Sequence, residues 1–361
     1  MNKKHILIMS MTGGFGHVRA GEALLDYAKE HVPEMNAEHV DITAIDPSLK
    51  KYAQGMYGAA SKKFPFVWKI LYNYPAAYHL AKKTVFFRGL FNSKVKNYIY
   101  QKKPDAIIFT NVEILPLFIG AVKKKFPHIV MGIVVTDYHG HPYYKFSCMD
   151  YYFVAHQDVA DDLKNVGIKQ EKIKITGIPI NPGFYVKENI GDLKLKYGIK
   201  NNLPVVLLIT SFQISSRDLI ALIENLLALD PKINVAGIAN GSQELYDAMK
   251  NNFSGHQHFC FEKWTNTMEE YMKISDVVVS KAGGLTVSEC VALAKPLVVV
   301  NPIPGQEEFN TEFLEKNNLG VRVKNLNQIP EVVRGLLSEN KKYPEPLFIE
   351  DSACEKIFQY F

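Results

Sequence analysis

The amino-acid sequence predicts an α/β chain built from two doubly wound, Rossmann-like domains. Short runs of β-branched and apolar residues alternate with segments of helical periodicity along all 361 residues. Several runs, such as Val205–Ile209, are apolar without interruption, which is typical of parallel strands buried on both faces. The strand and helix periodicities both break near Gly177–Pro204, where the stretch Ile178-Pro179-Ile180-Asn181-Pro182-Gly183 interrupts them. Two series of alternating strands and helices therefore predict two domains.

The elements follow in order. The first strand is expected at His5–Ser10, with a helix at roughly Val18–Glu30. Further strands are predicted at His39–Ala44, Asp105–Thr110, Ile129–Thr136, Tyr151–Ala155, Lys172–Thr176, Val205–Thr210, Ile233–Ala239, Gln257–Phe261, Asp276–Ser280 and Leu297–Asn301. We expect an N-terminal domain of residues 1–180 and a C-terminal domain of residues 181–361, with the final helix packed back on the N-terminal domain.

Several protein classes are disfavoured. No apolar run reaches the ~18 residues of a transmembrane helix. The chain starts with lysines and a short apolar run, as a signal peptide does, but a Gly-rich turn follows in place of a cleavage site. Cys148, Cys260, Cys290 and Cys354 show no CxxC spacing, so neither a zinc site nor a disulfide framework is indicated. A reduced cytosolic compartment fits this cysteine pattern.

The net charge of +5 is unevenly distributed. Residues 47–104, the basic segment, hold twelve Lys or Arg and no Asp or Glu, so the rest of the chain is acidic. Eleven aromatic side chains lie within residues 61–103. Basic residues interleaved with aromatics suit an anionic membrane surface, at about 1 kcal/mol per nearby Lys or Arg. The residues expected to contact the membrane are Trp68, Lys82, Lys83, Phe87, Arg88 and Phe91. A solvated helical face is the alternative, and nucleic-acid binding lacks a motif.

The first strand leads into the loop Thr12-Gly13-Gly14-Phe15-Gly16-His17, which opens a helix. Glycines let the backbone approach a ligand closely, and a helix N-terminus favours negative charge. A dinucleotide fingerprint fails here because Arg19 takes the place of its last glycine. His17 can act as a general base near neutral pH. Alternatively, the loop only caps the helix and His17 makes local hydrogen bonds.

A cluster of polar residues ends the strand predicted at Ile129–Thr136. Asp137, His139 and His141 are a carboxylate and two imidazoles, which suit several metals. However, the alternation that would place both histidines on one face stops at Pro142, and no fourth ligand is obvious. Asp137 can instead orient a catalytic histidine or an acceptor hydroxyl, or it can simply cap the following turn.

The strongest signal lies in two consecutive loops of the C-terminal half. Lys281-Ala282-Gly283-Gly284-Leu285-Thr286-Val287-Ser288-Glu289 runs from a strand through two glycines into a helix. The N–H groups at such a helix start can hold a diphosphate. Glu289, one turn beyond Thr286, suits neutral ribose hydroxyls. In the next loop Gln306, Glu307 and Asn310 offer the paired donors and acceptors that a sugar requires. A capping box followed by a polar loop is the simpler alternative.

Together these pieces resemble glycosyltransferase family 28. The matching stretches are Gly13–His17, Thr136-Asp137 with His141-Pro142, Ile175–Ile180, Lys281–Glu289 and Pro302–Glu308. The nearest resemblance is to bacterial processive diacylglycerol glucosyltransferases and plant monogalactosyldiacylglycerol synthases. It implies a GT-B fold, in which two Rossmann-like domains face a central cleft, and an inverting transfer of glucose or galactose from a UDP-sugar to diacylglycerol or a glycosyl-diacylglycerol in glycolipid biosynthesis. The enzyme would act from the cytoplasm, at the inner face of the membrane.

The resemblance also implies roles for individual residues. His17 would be the base and Asp137 would assist it or position the acceptor, with Gly13, Gly14, Gly16 and His141 around them. Gly283, Gly284, Leu285 and Thr286 would hold the diphosphate and Glu289 the ribose. Gln306, Glu307 and Asn310 would face the donor sugar, and Phe261–Thr265 would lie beside uracil. No metal cofactor is expected, because the helix N-terminus would stabilise the leaving UDP.

One loop departs from the family pattern. After the strand Val205–Ile209 the family presents a Gly-rich phosphate loop, whereas this chain has Thr210-Ser211-Phe212-Gln213-Ile214-Ser215. Ser211 can donate a hydroxyl to the diphosphate, but the close approach that glycine permits is lost. This departure motivates a non-catalytic UDP-sugar sensor as one alternative. A UDP-sugar 2-epimerase, which also uses two such domains, is the other.

Overall fold

The computed structural model of the protein describes residues 3–12, 15–49, 93–112, 115–338 and 352–361. The chain forms two compact units that divide between Pro182 and Gly183, whereas the sequence predicted a boundary at residue 180. Unit 1 also includes the segment Pro304–Phe309 and the C-terminal residues, and unit 2 holds the remainder. Each unit contains a six-stranded parallel sheet, so the predicted fold class of two doubly wound α/β domains is confirmed.

Unit 1 has the strand order β2-β1-β3-β4-β5-β6. Its elements are β1 (Lys4–Ser10), α1 (Phe15–His31), β2 (Met35–Asp41), α2 (Ile42–Ile45), α3 (Ser93–Lys102), β3 (Ala106–Phe109), α4 (Ile119–Lys125), β4 (Val130–Val134), β5 (Tyr151–Val154), α5 (Gln157–Asn165) and β6 (Ile173–Ile175). In this order the winding direction switches between β1 and β3. Open parallel sheets bind ligands beyond the carboxyl ends of the strands at such a switch point.

Unit 2 has the strand order β12-β11-β10-β7-β8-β9, which is the dinucleotide-fold order with its switch point between β7 and β10. Its elements are α6 (Ile190–Lys196), β7 (Val205–Ile209), α7 (Ser216–Leu227), β8 (Asn234–Ile238), α8 (Gln243–Phe253), β9 (Phe259–Glu262), α9 (Met268–Ile274), β10 (Val277–Ser280), α10 (Gly284–Ala292), β11 (Leu297–Val299), α11 (Gln306–Lys316), β12 (Gly320–Arg322) and α12 (Ile329–Ser338). The first turn of α11, up to Phe309, is counted with unit 1. The edge strand β12 follows a helix and has only three residues, and the apolar pattern did not predict it.

The central strands form the cores of both units. Ile6, Leu7, Ile8 and Met9 of β1 are fully buried, as are the first four residues of β7. Burying each such side chain stabilises the fold by about 1.5–3 kcal/mol, which explains why continuous apolar runs predicted these strands well. The last helix, α13 (Ala353–Phe358), belongs to unit 1, where the ring of Phe358 stacks on Tyr27 at 5.9 Å between centroids.

One predicted element was wrong. The strand expected at His39–Ala44 is displaced: β2 spans Met35–Asp41, and residues 42–45 form the short helix α2. The carboxylate of Asp41 accepts a hydrogen bond from the Thr43 backbone N–H at 2.9 Å and caps this helix. The β-branched residues after Asp41 suggested a longer strand, but this cap ends it.

Candidate active site

His17 lies in the first turn of α1, at the switch point of the sheet in unit 1. Its Nδ1 is 2.8 Å from the backbone carbonyl oxygen of Thr110, which directly follows β3. The same nitrogen is 2.9 Å from the Thr136 hydroxyl, which follows β4. The Thr110 hydroxyl in turn donates to the backbone carbonyl of His17 at 3.0 Å. Three strand ends of one sheet therefore meet at this imidazole.

These contacts define the tautomer of His17. A carbonyl oxygen can only accept a hydrogen bond, so Nδ1 carries the proton and donates it to Thr110. In the neutral ring Nε2 then holds the lone pair and is the atom able to accept a proton. The orienting groups are Thr110 and Thr136. The sequence named Thr136 only within the stretch that resembles the family, and Thr110 only as the end of a predicted strand.

Asp137 lies beside Thr136 and is buried, with 5 % of its surface exposed. Its Oδ2 accepts a hydrogen bond from the Gln306 side-chain amide at 2.7 Å. Both residues belong to unit 1, because Gln306 lies in the segment Pro304–Phe309. Among the described residues the imidazole of His17 is held by the two threonine groups and not by Asp137. The structure therefore brings Asp137 together with Gln306.

The two histidines after Asp137 have partners of their own. His139 Nδ1 lies 2.8 Å from the Asp162 carboxylate, and its ring stacks on Phe309 at 3.9 Å between centroids. His141 is buried and accepts a hydrogen bond from the Tyr143 backbone N–H at 3.2 Å, which caps a short 3₁₀ turn. Within the described ranges no group of three or more His, Cys, Asp or Glu side chains is arranged to hold a metal ion. These histidines therefore serve as a stacking group and a turn cap.

The glycine loop is anchored at its start. Both the backbone N–H and the hydroxyl of Thr12 donate to the Asp41 carboxylate. Burial favours the neutral acid, but hydrogen bonds from Thr12 and Thr43 outweigh this and lower the pKa of the Asp41 carboxyl. Gly16 lies in α1, while Gly13 and Gly14 lie outside the described residues. The ionised Asp41 thus fixes the chain just before the loop that leads to His17.

In unit 2 two serine hydroxyls meet at the switch point. Ser211, which follows β7, lies 2.9 Å from the hydroxyl of Ser280, the last residue of β10. The backbone N–H of Lys281 also approaches the Ser211 oxygen, at 3.4 Å. Ser215 accepts a hydrogen bond from the Asp218 backbone N–H at 3.1 Å and caps α7. Ser211 is therefore the loop hydroxyl that lies beside the strand leading to α10.

The helix α10 begins at Gly284, directly after the strand-end turn. In the part of the chain that the structure describes, no side chain caps this helix at Gly283. Its first turn contains Leu285 and Thr286, and half-buried Glu289 lies one turn further along. The N-terminus of a helix carries partial positive charge, so this turn is electrostatically suited to an anionic group.

Of the residues expected to face the donor sugar, Asn310 has a structural role. It is fully buried, and its amide donates to the Ala282 carbonyl oxygen at 3.0 Å. This hydrogen bond holds the turn that leads into α10. Glu307 is also buried, with 4 % exposed, whereas Gln306 bonds to Asp137. Near the expected uracil position, Trp264 is 37 % exposed and follows β9.

The membrane residues Trp68, Lys82, Lys83, Phe87, Arg88 and Phe91 lie outside the described residues. The neighbouring helix α3 carries Lys94, which lies 3.7 Å from the Asp46 carboxylate. At the end of α4, Lys125 lies 3.9 Å from the ring centroid of Tyr100 on α3. Among the helices that the structure describes, none combines the length and apolar character needed to cross a membrane.

Two Rossmann-like units, one with an oriented histidine and one in which a helix begins at a double glycine, are the architecture of the GT-B fold. Family models match both units. Residues 17–180 match the model described as monogalactosyldiacylglycerol (MGDG) synthase, and residues 215–352 match the glycosyltransferase family 28 C-terminal domain. The two models together cover most of the chain, so its first half is similar to MGDG synthases and its second half to the C-terminal domain of family 28 glycosyltransferases.

Individual relatives are similar over nearly the whole length. The chain is 27% identical over 346 residues to a processive diacylglycerol beta-glucosyltransferase of Staphylococcus epidermidis, covering 94% of this chain and 86% of that protein. It is 25% identical to the Bacillus subtilis protein of the same name, covering 93% and 87%. Among solved structures, the UDP-GlcNAc 2-epimerase from Neisseria meningitidis bound to UDP-GlcNAc matches with a TM-score of 0.60 at 12% identity, covering 98% of this chain and 100% of that one. This last likeness concerns the fold alone.

Proposed function

We propose that this protein is an inverting glycosyltransferase that moves glucose or galactose from a UDP-sugar to diacylglycerol or a glycosyl-diacylglycerol. Its matches to the MGDG synthase and family 28 C-terminal models and its similarity to proteins named processive diacylglycerol beta-glucosyltransferase support this activity. The observation that carries the proposal is the hydrogen bond from His17 Nδ1 to the Thr110 carbonyl oxygen, because it leaves Nε2 as the proton acceptor.

In the proposed reaction, the acceptor hydroxyl attacks the anomeric carbon of the donor sugar. Nε2 of His17 removes the hydroxyl proton as the new C–O bond forms. The bond between the anomeric carbon and the diphosphate oxygen breaks, and its electron pair leaves with UDP. Attack opposite the leaving group inverts the anomeric centre. Asp137, with its carboxylate fixed by Gln306, would position the acceptor.

On the donor side, we propose that Gly283, Gly284, Leu285 and Thr286 bind the diphosphate and that Glu289 binds the ribose hydroxyls. The helix N-terminus at Gly284 would stabilise the negative charge that develops on departing UDP. We therefore propose that turnover requires no metal. A chelator such as EDTA should leave the rate within about twofold of the untreated rate, since no step in this scheme depends on a metal; complete loss of activity that Mg²⁺ restores would contradict this part.

We further propose that the basic segment brings the enzyme to an anionic membrane surface on the cytoplasmic side. Twelve basic and no acidic residues within 47–104 support this binding. Flotation with vesicles containing anionic lipid should recover the protein at low salt and lose it at high salt, because salt screens surface charge. Equal binding to neutral and anionic vesicles would contradict the proposal.

The activity test uses the full chain with UDP-glucose or UDP-galactose and diacylglycerol in mixed micelles. We expect glycolipid and UDP in equal amounts, and we expect His17→Ala to abolish turnover while UDP affinity is kept. UDP binding without any glycolipid product from either donor would contradict the transferase assignment. An epimerised sugar nucleotide formed without lipid would instead identify an epimerase, and unchanged UDP-sugar in both assays would favour the sensor.

A further inference from the structure

The loop Asp137–Gly140 in unit 1 is held from two sides. On one side it lies against α5: the Gly140 backbone N–H donates to the Asp162 carboxylate at 2.9 Å, and the same carboxylate pairs with His139 at 2.8 Å. A Cβ at Gly140 would lie 2.7 Å from the Asp162 Cβ and 2.9 Å from the Val159 carbonyl oxygen. Only glycine permits this close approach, so the loop packs directly against α5.

On the other side, the first turn of α11 contacts the loop at two points. Gln306 donates to Asp137 at 2.7 Å, and the ring of Phe309 stacks on His139 at 3.9 Å with 16° between the planes. Gln306 and Phe309 are three residues apart on a helix, so they lie on the same face. Asp137 and His139 are separated by one residue in the loop. The stacking contact therefore fixes the same helical turn that presents Gln306 to Asp137.

The charge of this arrangement supports a firm contact. Burial would raise the pKa of the Asp162 carboxyl, but hydrogen bonds from His139 and the Gly140 N–H lower it below its usual value. The Asp162 carboxylate lies 2.8 Å from His139 Nδ1 and orients the imidazole, which stacks on the ring of Phe309.

We propose that His139 is a positioning residue for the donor sugar. Asp162 orients His139, the His139 ring stacks on Phe309, and Phe309 keeps Gln306 in place. We call these contacts the clasp. This inference rests on the proposed function, together with the position at the donor sugar that the family resemblance implies for Gln306. Neither His139 nor Asp162 touches the donor in this account; both act through Phe309. The clasp affects binding of the sugar moiety and leaves the binding of UDP unchanged.

The test compares binding of UDP-glucose or UDP-galactose with binding of UDP by calorimetry on the full chain. We expect His139→Ala to raise the Kd for the preferred UDP-sugar by about three- to tenfold, as loss of one aromatic stack predicts, with the Kd for UDP within about twofold of the native value. His139→Phe keeps a ring on Phe309 but loses the pair with Asp162, so its Kd for the UDP-sugar should lie between the native value and that of His139→Ala. Phe309→Leu should repeat the effect of His139→Ala.

A matched pair of variants separates the clasp from general stability. Asp162→Asn weakens the hold on His139 and should raise the Kd for the UDP-sugar, whereas Asp161→Asn changes the adjacent exposed residue on α5, which pairs with Lys164, and should leave it unchanged. The inference is overturned if His139→Ala leaves the UDP-sugar Kd unchanged or raises the Kd for UDP by the same factor. Because binding is read without turnover, absence of glycolipid product would count against the proposed function and not against the clasp.

Discussion

Replacing Thr136 by Val tests how the His17 imidazole is oriented. The substitution removes a hydroxyl that lies 2.9 Å from His17 Nδ1 and keeps the side-chain shape. The Thr110 carbonyl still accepts the Nδ1 proton at 2.8 Å, so the tautomer is kept and only one of two contacts is lost. A net hydrogen bond contributes about 0.5–1.5 kcal/mol, and 1.36 kcal/mol corresponds to about tenfold in rate. We therefore expect kcat to fall by about 2- to 13-fold.

The assay is the initial rate of UDP release with saturating donor and diacylglycerol. His17→Ala, which removes the base itself, should cost about 10²- to 10⁴-fold. The double variant should match His17→Ala alone, because Thr136 acts through His17. Thr176→Val, a buried threonine at the end of β6, serves as the matched control and should keep the native kcat. A loss in Thr136→Val as large as that of His17→Ala, or an unchanged kcat, would refute the reasoning.

Three further predictions concern Asn310, Glu289 and Asp41. Asn310→Ala leaves the buried Ala282 carbonyl without its 3.0 Å partner, so it should destabilise unit 2 by about 1–3 kcal/mol, seen as a lower thermal midpoint; an unchanged midpoint contradicts this. Glu289→Gln should raise the Kd for UDP and UDP-sugar together by about tenfold or more, as expected when a charged hydrogen bond is lost; an effect on UDP-sugar alone would argue against ribose contact. Asp41 has a lowered pKa, so its stabilising effect is present above its unfolded pKa and is lost as pH falls through the folded value. Asp41→Asn should therefore lower the thermal midpoint at pH 7, and its difference from the native protein should shrink as pH falls through the lowered folded pKa of Asp41; a difference that does not change with pH would contradict the assignment.

The sequence predicted the central strands well because they are buried on both faces. Runs such as Val205–Ile209 contain no polar residue, which is typical of a strand buried on both faces. Their carboxyl ends indicated the loops that carry the candidate site. Edges were harder to predict. The end of β2 depends on one capping carboxylate, Asp41, and the short strand β12 has too few residues for a pattern.

The candidate site was predictable where residue type alone indicates chemistry, and not where partners come from distant parts of the chain. His17 was singled out, but its partner Thr110 is 93 residues away and contributes a backbone carbonyl, which no motif encodes. Asn310 was expected to face a sugar because amides bind hydroxyls, and its hydrogen bond to the Ala282 carbonyl could not be predicted from residue type. The stacking of His139 on Phe309 likewise joins a loop and a helix that are far apart in sequence.

The central claim is that the protein transfers a sugar from a UDP-sugar to a lipid hydroxyl with inversion. The most direct measurement is the NMR spectrum of the product formed from α-linked UDP-glucose or UDP-galactose and diacylglycerol. We predict a β-linked glycosyl-diacylglycerol in an amount equal to the UDP released. An α-linked product, or no glycolipid from either donor under conditions where UDP binds, would contradict it.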